Sequence, residues 1–383
     1  MRSFLSLTCL FVLAAGVAAQ TVSEQKKIEE VRGHYEAARA RETAGDWAAA
    51  EREWQTVVKL APDDARAWVN LGVALNRQGK SHEAIEAWTR AASLNPNLAG
   101  AHFNLGLALV RNNEFAGAIN PLKRALALEP ENDAARRALA VALTGAERFT
   151  EASREIARLL AHAPRDADLL EMAARVFMRQ RRFAEAVIVL KRRLDLGNET
   201  GALWSQYGDA LDGAARTPEA VEAYKRAVEL APDSNLFRYG LGYLYWKQYR
   251  YEEAERELTE VLRRDPKDAR AAFTLGDLYL TKGDAKRALP LLELAARDYP
   301  EEFDTHFALG RVLMQTGDEK RGIEELRAAV RLDDTIADGH FQLGRALMQT
   351  GEREEGRREL ERARDLQNAK RASEAIRPQL PPK

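Results

Sequence analysis

The sequence predicts an all-α solenoid of ten helix-turn-helix units, each 34 residues long, and three observations carry that expectation. The first is a ladder of prolines. Pro62, Pro96, Pro130 and Pro164 stand 34 residues apart, and the series resumes at Pro232, Pro266 and Pro300, with Asn198, Asp334 and Asn368 on the missing rungs. The second is a pair of small-residue ladders in the same phase. One runs Ala38, Gly72, Gly106, Ala140, Ala174, Gly208, Gly242, Gly276, Gly310, Gly344; the other runs from Ala50 through Ala288 to Gly322 and Gly356. The third is helical apolar spacing, twice per unit: Trp68, Leu71, Gly72 and Leu75 share a stripe before Gly79, and Ala84, Trp88 and Ala91 share another after it.

Taken in chain order, the first element is a secretory signal. Arg2 precedes an apolar run from Phe4 to Val17, and Val17-Ala18-Ala19 supplies small residues for cleavage near Ala19, so residues 1–19 are expected to leave the mature chain. The run falls short of the roughly 20 apolar residues a membrane span needs. Cys9 lies inside it and lacks the small preceding residue of a lipidated cysteine. Removing the signal leaves no cysteine, which excludes disulfides and thiolate chemistry and fits the periplasm or the secreted space. Residues 20–30 are expected to extend the first helix backwards, with Thr21-Val22-Ser23-Glu24 as a capping box.

Ten units then follow without an insertion, starting at Val31, Ala65, Ala99, Asp133, Ala167, Gly201, Asn235, Ala269, Phe303 and Ala337 and ending at Lys370. In the regular unit a glycine turn ends the first helix and a proline ends the second. No helix pair buries its apolar face alone, so stacking on the next pair builds the core. Small residues let the paired backbones approach, with Trp54, Trp88 and Tyr224 filling the space beside them. Pro121 and Pro290 fall about one turn into second helices, near the end where amides lack partners. Glu147, Arg181 and Asn198 replace the expected glycine or proline in units four and five, which marks these as the irregular ones. Arg357 and Arg364 replace aliphatics in the last unit and seal its open face; residues 371–383 form a short capping segment and a disordered tail.

The pattern Trp68-x-x-Leu71-Gly72-x-x-Leu75, followed by Ala84, Ala91 and Pro96, resembles the tetratricopeptide repeat, and it recurs over 340 of 383 residues. The resemblance implies a right-handed superhelix with first helices lining a concave groove, and it assigns the groove to the second, fifth, ninth, twelfth and thirteenth places of each unit. Aromatic groove positions are Tyr239, Tyr243, Trp246, Phe273, Phe307 and Phe341, with Phe103 and Tyr35 nearer the N-terminus. Rigid aromatics in a concave patch suit a bound peptide or helix. Basic groove positions in units one to four are Arg32, Arg39, Arg66, Arg77, Arg111 and Arg137; units five and six offer Asp168, Glu171, Asp209 and Asp212. Such a gradient orients a charged partner. The family's carboxylate clamp is not expected, because Tyr35 and Val69 occupy places that need lysine.

Other chemistry finds little support. The stretch from Ala74 to Gly79-Lys80-Ser81 has phosphate-loop spacing but lies across a helix end, where no strand precedes it. His82-Glu83 lacks the second histidine of a zinc helix, and His34, His102, His306 and His340 all take the fourth, packing place of their units. No catalytic constellation, metal site or cofactor is expected. Asn198-Glu199-Thr200 is a glycosylation sequon only in a glycosylating host. A formal charge of −1 leaves no global field for nucleic acid. The expected function is a protein-binding scaffold outside the cytoplasm; related signal-bearing repeat proteins suggest outer-membrane assembly or polysaccharide export.

Overall fold

The computed structural model describes the backbone of residues 4–376 and the side chains of residues 24–372. The described residues form twenty helices and no strand. They fall into two units, Met1–Leu196 and Gly197–Lys383. Unit 1 holds α1 (Phe4–Thr43), α2 (Trp47–Leu60), α3 (Ala65–Arg77), α4 (Ser81–Leu94), α5 (Ala99–Arg111), α6 (Phe115–Leu128), α7 (Asp133–Gly145), α8 (Phe149–His162), α9 (Ala167–Arg179) and α10 (Phe183–Leu194). Unit 2 holds α11 (Gly201–Gly213), α12 (Thr217–Leu230), α13 (Asn235–Lys247), α14 (Tyr251–Arg264), α15 (Ala269–Thr281), α16 (Ala285–Asp298), α17 (Phe303–Thr316), α18 (Glu319–Leu332), α19 (Ala337–Thr350) and α20 (Arg353–Ile376).

The chain enters six of the repeats through a side-chain cap two residues beyond the rung of the proline ladder. Asp64, Asn132, Asp166, Thr200, Ser234 and Asp268 each accept a hydrogen bond from an amide in the first turn that follows. A cap of this kind contributes about 1 kcal/mol. Within each unit every helix packs on its neighbour in sequence. In unit 2 the successive first helices α11, α13, α15, α17 and α19 also touch one another, and they approach more closely than the second helices do, so they form the inner side of that stack.

The small-residue ladders work as spacers. A Cβ on Gly72 would lie 2.5 Å from Trp88 Nε1, and Gly276 and Gly310 meet Leu292 and Leu326 in the same way. The tryptophan pockets are also hydrogen-bonded: Trp88 Nε1 donates to the Val69 carbonyl at 3.0 Å and Trp54 Nε1 to Glu42 at 2.9 Å.

The turn between the two helices places one residue of every repeat in the left-handed region. Gly45, Gly79, Gly283, Gly317 and Gly351 fill it at the ends of the array, whereas Asn113, Glu147, Arg181, Ala215 and Tyr249 fill it in the five middle repeats. Irregularity therefore extends beyond units four and five. A side chain costs roughly 1–2 kcal/mol in this conformation. Four of those repeats answer with one device: Arg148, Arg182, Arg216 and Arg250 precede the second helix and pair with Glu151, Glu185, Glu219 and Glu253 three residues on. The guanidinium beside Glu185, Glu219 and Glu253 holds each carboxyl below its ordinary range.

Several local expectations need correction. Pro121 is the seventh residue of α6 and Pro290 the sixth of α16, past the four unpartnered amides, so each removes an internal helix hydrogen bond. The backbone runs helical through Thr21, so no helix start and no capping box fall there. Beyond Lys370 the chain continues α20 to Ile376 instead of starting a new helix. Arg357 and Arg364 are exposed on α20. α10 has 12 residues, and Gly197 and Asn198 after it both take positive φ. The side chains of the expected signal segment and the expected tail over residues 377–383 lie outside the described residues.

Candidate partner-binding surfaces

Most fourth-place residues are polar ties, a role that packing alone did not suggest; Leu170 and Ala272 are the buried apolar exceptions. His34, Arg136, Arg238, His306 and His340 each reach a glutamate nineteen residues on, across the helix pair: Glu53 at 2.6 Å, Glu155 at 2.9 Å, and Glu257, Glu325 and Glu359 at 2.6 Å. The other end of the side chain caps the preceding repeat. His306 Nε2 meets the Pro300 carbonyl at 2.9 Å and His340 Nε2 the Asp334 carbonyl at 3.0 Å, while Trp68 and His102 reach Pro62 and Pro96. His306 and His340 are thus each committed to a glutamate of their own repeat and a carbonyl of the one before. Among the described residues no three His, Cys, Asp or Glu side chains gather as a metal cage.

The remaining motif residues are similarly engaged. Lys80 binds Glu51 at 2.6 Å; burial raises that carboxyl, but hydrogen bonds from Lys80 and Gln78 outweigh it and hold it below its usual range. His82 is 86% exposed on α4 and faces Glu86 at 3.7 Å.

The expected basic positions all lie in unit 1, and they are not equivalent. Arg137 is bound to the cap Asp166 at 2.7 Å, Arg39 to Glu42 at 3.1 Å, and Arg77 lies 5.4 Å over the Trp47 ring. Arg32, Arg66 and Arg111 are exposed and form no ion pair among the described residues. Phe103 is half-buried on α5. Tyr35 is a packing residue, edge-on to Trp54 at 4.6 Å and accepting a hydrogen bond from Asn70.

The aromatic positions in unit 2 are brought together. On α13, Tyr239, Tyr243 and Trp246 stack in series, with ring centroids 6.3 and 5.6 Å apart and both planes inclined by 28°. Their spacing of four and three residues puts them on one helix face. Trp246 Nε1 donates to Asp277 of α15 at 3.2 Å, and Arg270 lies 5.0 Å over Tyr239. Tyr243 remains 36% exposed and Phe341 40% exposed, which makes these two the open contact points of the set. Phe273 is half-buried on α15. Phe307 departs from the expectation: it packs on the core formed by Ile323, Leu326 and Leu343 and stacks on Phe303 at 5.3 Å, so it supports the wall instead of lining it freely.

Acidic groups flank the ladder. Asp212 holds Lys247 at 2.8 Å, and Asp209 accepts the Tyr224 hydroxyl at 2.5 Å. Asp209 keeps solvent access yet is ringed by protein, as a residue in a concave wall is. Desolvation raises the carboxyls of Asp209 and Asp277 above the ordinary aspartate range, against the hydrogen bonds from Tyr224 and Trp246. Two groups passed over in the sequence belong to the same wall. Arg311 and Arg345 stand 5.5 and 5.8 Å over the rings of Phe307 and Phe341, one turn earlier on α17 and α19. They occupy the ninth place of their repeats, where the assignment of groove positions already pointed.

No curated protein matches the chain. Among solved structures, similar chains include MamA residues 41 to the end from Desulfovibrio magneticus RS-1, at 20% identity and a TM-score of 0.41, covering 44% of this chain and 96% of that one. Naa15/Naa10 bound to HypK-THB matches at 15% identity and a TM-score of 0.47, over 88% of this chain and 63% of that one. YrrB, a repeat protein with an unusual peptide-binding site, matches at 22% identity and a TM-score of 0.34, over 58% and 96%. Tetratricopeptide repeat models match residues 35–99, 77–132, 109–176, 207–269, 239–303, 273–335 and 337–362. Together with the paired helices, spacer glycines and capped turns, these matches place the chain in the tetratricopeptide repeat family.

Proposed function

We propose that this chain is a non-enzymatic scaffold that acts outside the cytoplasm and holds an extended segment of a protein partner along the inner face of the first helices of unit 2. The observation that carries the reading is the Tyr239, Tyr243, Trp246 stack, a pre-ordered aromatic surface with an open edge at Tyr243. Stacked rings lose little side-chain freedom on binding, so they suit the anchor positions of an interface. Membership of a repeat family that typically serves protein interaction supports the binding role. The N-terminal residues 1–19 support export, and among the described residues no helix is long and apolar enough to cross a membrane.

A photo-cross-linking residue at Tyr243, compared with one at Arg256 on the second helix α14, tests the surface in intact cells. Adducts are expected from position 243 and reduced in a Phe341→Arg background. Equal adducts from both positions would sink the proposed surface. N-terminal sequencing of the protein from cell fractions tests export; an uncut chain in the cytoplasm would refute it.

A further inference from the structure

The first helices of the last two repeats carry one motif twice. Residues 306–317 read HFALGRVLMQTG and residues 340–351 read HFQLGRALMQTG, alike at ten of twelve positions. Packing explains the shared leucines with Gly310 and Gly344, which are buried in both copies, and the left-handed turn explains Gly317 and Gly351. It does not explain Phe341, Arg311 and Arg345, or Gln315 and Gln349, which keep solvent access. Surface positions of a helix are under no packing constraint to match.

The two arginines and two glutamines meet in one cleft of about 260 Å³ within unit 2, lined by Arg311, Met314, Gln315, Gln342, Arg345 and Gln349. No carboxylate lines it. Neither arginine forms an ion pair among the described residues; each is steered by the phenylalanine one turn before it. The neighbouring acids are occupied or set back: Glu319 accepts from Gln349 at 2.9 Å, and Asp277 takes the Trp246 indole. Two guanidinium groups facing one cleft repel, and an anion between them turns that repulsion into attraction. The glutamines add amide donors and acceptors of the kind a peptide main chain requires.

We infer that this cleft binds the side-chain carboxylates of an acidic extended segment, an inference that rests on the peptide-holding role proposed for the inner face of unit 2. Neighbouring helix axes lie roughly 8–10 Å apart. Two extended residues span about 7 Å and leave both side chains on one face, a distance the long arginine stems can match, so the segment carries acidic side chains two residues apart. A free inorganic anion would leave the glutamine amides of the cleft without a role.

The test uses the full chain and two labelled, end-capped peptides, one with Glu-x-Glu between leucines and one with Gln-x-Gln in its place, followed by fluorescence anisotropy. The acidic peptide is expected to bind roughly tenfold or more tighter, with the preference shrinking as salt is raised. Arg311→Gln with Arg345→Gln should erase the preference while leaving the thermal melt and the affinity for the neutral peptide unchanged. Equal binding of the two peptides, binding of neither, or a preference that survives in the double variant overturns the inference. So does inorganic phosphate binding to the wild type and not to the variant when the peptides show no preference. Tyr243→Arg separates the two readings: it weakens both peptides and keeps their ratio if the aromatic surface holds the segment, so a failure of the ratio and a failure of the surface are seen independently.

Discussion

The Tyr224 hydroxyl donates to Asp209 Oδ1 at 2.5 Å, tying the second helix of the sixth repeat to the inner face of the first. Desolvation raises the Asp209 carboxyl above the ordinary 3.8, so the folded state takes up its proton at a higher pH than the unfolded chain does. The folded protein therefore binds more protons between the two values, and stability falls as pH rises through that window. Asp209→Asn keeps the acceptor and removes the charge. It is expected to melt higher than wild type at pH 7, with the gap narrowing as pH falls and closing below the ordinary aspartate value; scanning calorimetry across pH 3 to 8 checks this.

The same tyrosine ring occupies the space beside two glycines. A Cβ at Gly208 would fall 2.6 Å from Tyr224 Cδ2, and one at Gly240 would collide with the opposite edge. Gly240→Ala should therefore destabilise by about 1–3 kcal/mol. Adding Tyr224→Leu opens the space and should recover part of the loss, which urea unfolding of the single and double variants measures.

Turn chemistry gives a prediction with opposite signs at the same place in different repeats. Tyr249 sits at φ 60° and Gly317 at φ 90°. Tyr249→Gly relieves the left-handed strain and should stabilise by roughly 1 kcal/mol, while Gly317→Ala should destabilise by a similar amount. Equal effects of both substitutions in chemical unfolding would contradict the strain argument.

Arg136 is nearly buried and holds Glu155 at 2.9 Å; Arg136→Leu leaves that glutamate without its main partner. A loss of about 3 kcal/mol is expected from breaking a pair of this burial. The fifth repeat shows the apolar alternative, with buried Leu170 and Val189 at the corresponding places. Arg136→Leu with Glu155→Val should return close to wild-type stability, and a double-mutant cycle measures the coupling.

The fold was legible because close packing imposes the same small residue at the same place every 34 residues, at Gly72, Gly106 and Gly310 alike. The fourth-place pairs were less so. His340 and Glu359 are nineteen residues apart on different helices, and the tie is visible in the sequence only when both columns of the repeat are compared together. The aromatic surface was read as positions, not as contacts: spacing placed Tyr239, Tyr243 and Trp246 on one face, but nothing local showed that Phe307 serves the core. Arg311 and Arg345 were missed because an arginine on a helix face ordinarily needs no explanation. Their repetition in a shared twelve-residue motif was the available signal.

Left-handed turns without glycine run from Asn113 to Tyr249, through the third to seventh repeats. In a repeat array, local stability is set by each repeat and its immediate neighbours. Amide exchange in such an array ordinarily begins by fraying at the termini; here the strained joints are expected to add a second set of weakly protected amides at the interhelical turns of the middle repeats. Tyr249, 78% exposed in one of them, offers a protease an aromatic cleavage site far from either end.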